Sequence, residues 1–298
     1  VRIALRVDVD THTGLRDGVP VLLDLLDRAG ARASFFVTMG PDHSGRAVRR
    51  VLRPGFAGKM ARTGALRTYG LYTVLSGTLL PARPVGKGFP HLLRLIEACG
   101  HECGIHGWDH VLWHDRLEHL GRDAVAAELR RAVEAFGDAT GHPPAGTAAP
   151  AWRATATSLA LQDEGPFRYA SDCRGRSPFR PSGFRLVQIP ATLPTLDELI
   201  GLPGMDHDGI AKHLASDLRP DGLNVFTLHT EIEGRHHAPA LAHLLKRWTG
   251  EGWRFETLQE TAARAAAEAV PLCAMERGTS EGRAGWMSVQ GPVSRGAA

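Results

Sequence analysis

Val1-Arg2-Ile3-Ala4-Leu5-Arg6-Val7-Asp8-Val9-Asp10 opens the chain and decides how the rest is read. Residues 1–7 have the apolar composition of a buried strand, and the run stops on two carboxylates. Side chains two apart on a strand point the same way, so Asp8 and Asp10 face one side together. Neighbouring carboxylates repel each other. A core-facing pair is tolerated mainly when a cation or a proton sits between them. A second stretch, Glu102–Ile105, runs into His106-Gly107-Trp108-Asp109-His110, which sets two imidazoles four residues apart, on one face if the segment is helical. One or two oxygen donors and two nitrogen donors make the composition of a catalytic zinc-type site with an open position. Taken singly, such a pair of acids is usually a strand end or a cap, and such a pair of histidines says little more. Both sit where a strand stops, which is where α/β folds gather their chemistry.

Composition sets the frame. The 298 residues are 43% hydrophobic and 22% charged, an ordinary globular profile. No apolar run approaches the ~20 residues that span a bilayer. The start of the chain goes straight into a strand, without the basic-then-apolar pattern of an export signal. Cys99, Cys103, Cys173 and Cys273 lack paired spacing, which fits free thiols in a reducing compartment. The net charge is +3 but uneven: residues 41–90 carry nine Lys or Arg against Asp42 alone, so that segment is +8 and the remainder −5. Such asymmetry points to an anionic partner. Basic residues there, Arg49, Arg50 and Arg53 among them, interleave with Phe56, Met60, Leu71, Leu75 and Leu79. The pattern reads either as a membrane-surface segment or as a helical insertion packed on the core. No nucleic-acid-binding motif accompanies the charge.

Outside that insertion, strands and helices alternate. Helical spacing covers 18–30, 89–99, 123–137, 155–162, 206–218, 239–250 and 258–269. Strands are expected at 33–38, 102–105, 146–149, 167–171, 186–190, 224–229 and 254–258. Seven or eight strands alternating with helices favour a closed or nearly closed β/α barrel over an open sheet. Residues 1–270 form that unit, and 271–298, rich in Gly, Ser and Arg, read as a disordered tail. Chemistry-bearing residues recur where strands stop: Asp8, Asp10, His106, His110, Arg153, Asp172, His229, Glu231 and Glu233. In a barrel these points share one face. Alone, Asp172 is a cap, His229 a half-buried core residue, the two glutamates loop acids and Arg153 a surface ion-pair partner. Together they suit hydrolysis, with a cation that polarises a carbonyl, a carboxylate that takes a water proton and an imidazolium that protonates the leaving group.

With these blocks assembled, the chain resembles the polysaccharide deacetylase (NodB-homology) superfamily, and within it the deformylases of lipid-linked formamido-arabinose. The resemblance runs over about residues 2–262. It rests on Leu5–Thr11, Gly40-Pro41-Asp42, His106–His110, Ala151–Ala154, Tyr169–Gly175 with Pro178–Pro181, Gln188–Thr195 and Thr227–Gly234. It implies a distorted (β/α) barrel and one divalent metal, zinc-like or cobalt-like. It further implies Asp8 as base, Asp10, His106 and His110 as ligands, and His229 as acid, with Asp172 orienting it and Arg153 nearby. The implied reaction removes formate from 4-deoxy-4-formamido-L-arabinose on undecaprenyl phosphate, in the pathway that adds aminoarabinose to lipid A and confers polymyxin resistance. The implied place is the cytoplasmic side of the bacterial inner membrane, with Arg49, Arg50 and Arg53 meeting phosphate and Glu231 and Glu233 meeting the sugar. An N-deacetylase of another glycan and a non-catalytic sugar-lipid-binding barrel are the alternatives. Two departures stand out: Val9 separates aspartates that many members carry side by side, and the arginine block around Ala149–Arg153 is poorly formed.

Overall fold

β1 (Arg2–Val9) has three parallel partners in the computed structural model, which describes residues 1–47, 65–280, 283 and 285–294. On one side lies β2 (Ser34–Val37). On the other, β8 (Val225–His229) pairs with the C-terminal half of β1 and β9 (Arg254–Glu256) with its start. Beyond β2 the sheet continues through β3 (Glu102–Ile105), β4 (Gly146–Thr147), β5 (Tyr169–Ala170) and β7 (Val187–Gln188), all parallel. β7 and β8 form no ladder. The segment after β7 closes the gap instead, through Leu193 N–H to Val225 O (3.1 Å) and Val225 N–H to Thr192 Oγ1 (2.8 Å). The expected distorted barrel is therefore present, curled and interrupted at one seam.

Alternation along β1 sorts the two faces. Ile3, Leu5, Val7 and Val9 are buried in the main apolar layer, against helices such as Val19–Arg28 and Ala238–Gly250. Ala4 packs in the barrel's inner cluster with Phe36, Trp152, Tyr169 and Val225, and Arg6 and Asp8 share its parity. Both faces of a parallel strand are covered, so β1 reads as a nearly continuous apolar run and its two interior charges stand out.

The C-terminal segment corrects the sequence reading. Residues after 271 include β10 (Leu272–Gly278) and β11 (Met287–Val293), an antiparallel hairpin whose first strand also pairs with β6 (Arg180–Pro181). Cys273, Met287 and Ser288 are buried. The expectation of disorder fails because this hairpin is held by partners far back in the chain, which its local composition does not reveal.

The insertion is described in part. Arg49, Arg50 and Arg53 lie outside the described residues. Helix Ala65–Leu75 is broken at Gly70, whose φ of 79° lies outside helical space. Small polar groups anchor it: Thr73 Oγ1 donates to Thr13 Oγ1 (3.1 Å), and just past its end Ser76 Oγ donates to Asp42 O (2.7 Å). Leu71 in the helix is 64% exposed and Leu79 in the turn after it 81%. The segment thus packs on the barrel and also presents leucines outward. Leu5→Ala is expected to cost about 3 kcal/mol in urea unfolding, as for a fully buried Leu. Leu79→Ser is expected to stay within about 0.5 kcal/mol.

Candidate active site

Strand register builds the site. Asp8 on β1 lies directly opposite His229 on β8 and Phe36 on β2. Two residues past Asp8, beyond the end of β1, comes Asp10. From β3 the chain leaves through His106, and His110 opens the helix His110–Arg116. The two histidines therefore converge from a strand end and a helix start, rather than from one helical face. Asp109 fixes that helix start, since its Oδ1 accepts the amides of Val111 (3.1 Å) and Leu112 (3.0 Å). Its Oδ2 holds His43 Nδ1 at 2.6 Å. The Asp109 amide donates to buried Glu128 (3.0 Å), whose carboxyl desolvation pushes up to about 7.

Asp10, His106 and His110 each offer one donor atom, all within 4.8 Å of one another. Asp10 Oδ1 lies 3.4 Å from His106 Nε2, and Asp10 Oδ2 lies 3.4 Å from His110 Nε2. Asp10 Oδ1 is buried without a hydrogen-bond partner among the described residues. His106 Nδ1 is 2.8 Å from Ala148 O, so that nitrogen carries the hydrogen and Nε2 presents its lone pair to the cluster. Burial lowers His106 to about 4 against the pull of Asp8 and Asp10, leaving a neutral imidazole, the ligating form. The donor set, the orphaned oxygen and the fixed tautomer fit a divalent cation with open positions.

Asp8 is not a member of that trio. Arg6, on the same face of β1, grips it in a bidentate fork, Nε to Oδ1 and Nη2 to Oδ2, each 2.7 Å. Arg6 is fully buried and also donates to Ser171 O at 2.5 Å. Desolvation alone would raise Asp8, but Arg6, His106 and His229 outweigh it and bring the carboxyl down to about 2. Asp8 Oδ2 stands 3.8 Å from His106 Nε2, so the carboxylate borders the cluster of Asp10, His106 and His110. Arg6 was missed in the sequence because it sits inside an apolar strand. Its parity with Asp8 was the available signal.

Arg153, expected near His229, is engaged with the C-terminal hairpin. Its guanidinium donates to His114 O and to Trp286 O (3.2 Å) and lies 4.7 Å from the Trp286 ring, on the C-terminal hairpin. The arginine that holds Asp8 is Arg6. Asp172 also departs from its expected role. It is buried and exchanges hydrogen bonds with Gln188, its amide donating to Oε1 (2.9 Å) and Gln188 Nε2 donating to its Oδ2 (3.0 Å). Desolvation raises its carboxyl to about 6. Among the described residues the ring that meets His229 is that of Trp152, edge-to-face at 6.5 Å. Trp152 and Ala151 adopt left-handed φ values of 53° and 55°, a strained turn costing about 1–2 kcal/mol per residue.

Neither glutamate after β8 is an exposed sugar contact. Glu231 Oε1 accepts the amide (2.9 Å) and hydroxyl (2.7 Å) of Thr11 and packs on Gly14, where an added Cβ would fall 2.1 Å from that oxygen. Glu233 Oε2 accepts the His229 amide at 2.7 Å. Both are buried, and desolvation pushes both carboxyls up to about 8. Glu233 thus holds the end of β8 at His229, and Glu231 ties the segment after it to Thr11.

The family model described as polysaccharide deacetylase matches residues 2–170. A relative from Shewanella sediminis, bearing the name of a 4-deoxy-4-formamido-L-arabinose-phosphoundecaprenol deformylase, is 41% identical over 233 residues, 78% of this chain and 76% of that one. One of the same name from Wigglesworthia glossinidia brevipalpis is 30% identical over 285 residues, 93% of this chain and 98% of that one. The crystal structure of a polysaccharide deacetylase from Mycobacterium smegmatis superposes with a TM-score of 0.64 at 19% identity, over 94% of both chains.

The buried glutamates set a pH dependence. Folded Glu233 holds a proton up to about pH 8, whereas its unfolded value is 4.5. Its contribution to stability is complete below the unfolded value and is lost as the pH rises through the folded one, at no more than about 1.4 kcal/mol per pH unit. Glu233→Gln, neutral throughout, is expected to flatten the fall in urea-unfolding stability between about pH 5 and 8. Parallel curves for the variant and the parent would contradict this assignment.

Proposed function

This chain belongs to the polysaccharide deacetylase family, and on that premise we propose that it hydrolyses the formamide of 4-deoxy-4-formamido-L-arabinose carried on undecaprenyl phosphate. Water adds to the formyl carbon, the C–N bond breaks, and formate and the free amino sugar leave. The observation that carries the reading is the convergence of Asp10, His106 and His110 beside Asp8, with His229 opposite Asp8 across two neighbouring strands.

Asp10, His106 and His110 would hold the cation, which supplies Lewis acidity and lowers the pKa of a bound water. The remaining work belongs to the chain. Arg6 keeps Asp8 ionised and oriented at neutral pH. A carboxylate held near 2 is weakly basic, so Asp8 accepts the water proton through its placement more than its affinity. His229 stands at the same strand level on the other side and donates a proton to the departing nitrogen. The neutral carboxyls of Glu231 and Glu233 fix the segment after β8 to Thr11 and to the His229 amide without adding a negative charge that would compete for the cation. The glycan deacetylase alternative shares these roles and differs in the acyl group removed.

The substrate's lipid would keep the chain at the membrane surface, peripherally on the cytoplasmic side of the inner membrane. Exposed Leu71 and Leu79 support this placement, as does the excess of Lys and Arg in residues 41–90. Among the described residues no helix is long and apolar enough to cross a membrane.

Formate release by the purified protein from the lipid-linked formamido sugar tests the reaction. Asp8→Asn and His229→Ala are each expected to lower kcat by about 10²–10⁴-fold while bound metal stays stoichiometric. Unchanged turnover in both would refute the roles given to them. Leu71→Ser with Leu79→Ser is expected to weaken sedimentation with vesicles containing anionic lipid, leaving turnover of a water-soluble formamido sugar unchanged. Equal vesicle binding would remove the membrane role of this face.

A further inference from the structure

The C-terminal hairpin takes no part in the reaction just described, yet it ties together three of the loops that leave the strand ends. Ser288 Oγ accepts the Ala154 amide at 3.0 Å and lies 3.3 Å from the Ala154 carbonyl, to which it donates. With the Arg153–Trp286 contacts, this holds the turn after β4. Arg174, in the loop after β5, donates its amide to Ser288 O (3.0 Å) and accepts the Gln290 amide (2.8 Å). Arg283, between the two hairpin strands, reaches Glu198 at 3.3 Å in the short helix Leu196–Leu199 that follows β7. Arg174 clamps the same carboxylate with two 2.6 Å bonds.

These contacts meet on Trp152. The Arg283 guanidinium lies 4.4 Å from its ring centroid and that of Arg174 4.6 Å. The same indole meets the His229 ring edge-to-face, and the guanidinium of Arg6, which grips Asp8, lies 5.1 Å from it. One buried ring therefore touches the side chain assigned as acid and the side chain that holds the assigned base. Its backbone is left-handed at φ 53°, next to Ala151 at 55°, a conformation that persists only where the surroundings over-determine it. The hairpin supplies those surroundings from one side. Gly285 makes room for this, because its φ is +89° and an added Cβ would lie 2.8 Å from Arg153 Nη2.

We infer that the C-terminal hairpin is a positioning element for the reaction: through Arg283 and Ser288 it holds the Trp152 indole against His229 and Arg6, and so sets the spacing of acid and base. Arg283 is a positioning residue that acts through Trp152. A guanidinium held 4.4 Å over an indole face suits that task, because the cation–π attraction favours one placement of the ring. The inference rests on the roles given above to Asp8 and His229.

The test compares Arg283→Ala with Arg277→Ala. Arg277 lies on the same hairpin but stacks on Trp286 and pairs with Glu118, away from Trp152. Steady-state formate release, bound metal, Tm and the NMR shifts of the His229 ring are measured for both. Arg283→Ala is expected to lower kcat about tenfold or more with KM and metal content within about twofold, as for a small misplacement of reacting groups. It is also expected to move the His229 ring resonances. Arg277→Ala is expected to lower Tm comparably, with kcat and His229 unmoved. Unchanged kcat in Arg283→Ala, or equal loss in both variants, would overturn the inference, since the hairpin would then contribute stability alone. If the parent protein releases no formate, the reaction reading fails by itself. The hairpin is then judged by the His229 resonances: a shift confined to Arg283→Ala upholds the contact chain, and none refutes it.

Discussion

The buried fork between Arg6 and Asp8 is the constraint on which the rest of the structure depends. Both groups lie inside the barrel on one strand, and each would be costly there alone. Removing one partner of such a pair leaves a stranded charge, worth about 3–5 kcal/mol. The pair is tolerated because Arg6 is satisfied on every side: both Asp8 oxygens, the Ser171 carbonyl and hydroxyl, and the faces of Phe36 and Trp152 around its guanidinium. A charge pair with that many partners can exist in one register of β1 and no other. A slip by one residue would drive Arg6 and Asp8 into the helix-facing apolar layer. The fork therefore pins β1, and β1 places His229 and His106 through its neighbours.

The same arrangement separates two carboxylates two residues apart. Asp8 is ionised and occupied by a guanidinium, whereas Asp10 sets its unpartnered Oδ1 beside the His106 ring and its Oδ2 beside the His110 ring. Desolvation raises Asp10, while Asp8 is drawn down to about 2 by Arg6. The environments thus divide the roles that the sequence left open between them: Asp10 suits a cation and Asp8 suits an oriented water. Around them, burial raises Glu128, Glu231, Glu233 and Asp172, and at Glu231 and Glu233, raised to about 8, it removes most of the negative charge that would compete with Asp8 and Asp10 at neutral pH.

Much of this was legible in the sequence, and the failures share a cause. Strand and helix alternation, the parity of Asp8 with Asp10 and the placing of His106, His110, Asp172 and His229 at strand ends are local patterns. Local periodicity carries them. Long-range pairing does not show in such patterns. β10 needs β6, nearly a hundred residues earlier, and its Gly- and Arg-rich surroundings gave no periodic signal. Arg153 stood in the right block, but its side chain turned to a hairpin that composition had marked as disordered. Arg6 was hidden by the apolar run around it. Glu231 and Glu233 looked like loop acids because burial is a property of the packed turn between Thr11, Gly14 and Gly18, and not of their neighbours in sequence.

The central claim is that a cation held by Asp10, His106 and His110, beside an Asp8 oriented by Arg6, hydrolyses a formamide. The most direct measurement is formate release from the lipid-linked formamido sugar by the purified protein as isolated, after chelation and after return of zinc or cobalt, with an N-acetylated glycan alongside. The account predicts formate release that chelation abolishes and metal restores, with little acetate from the control. Formate release indifferent to chelation, or acetate release without formate, would contradict it.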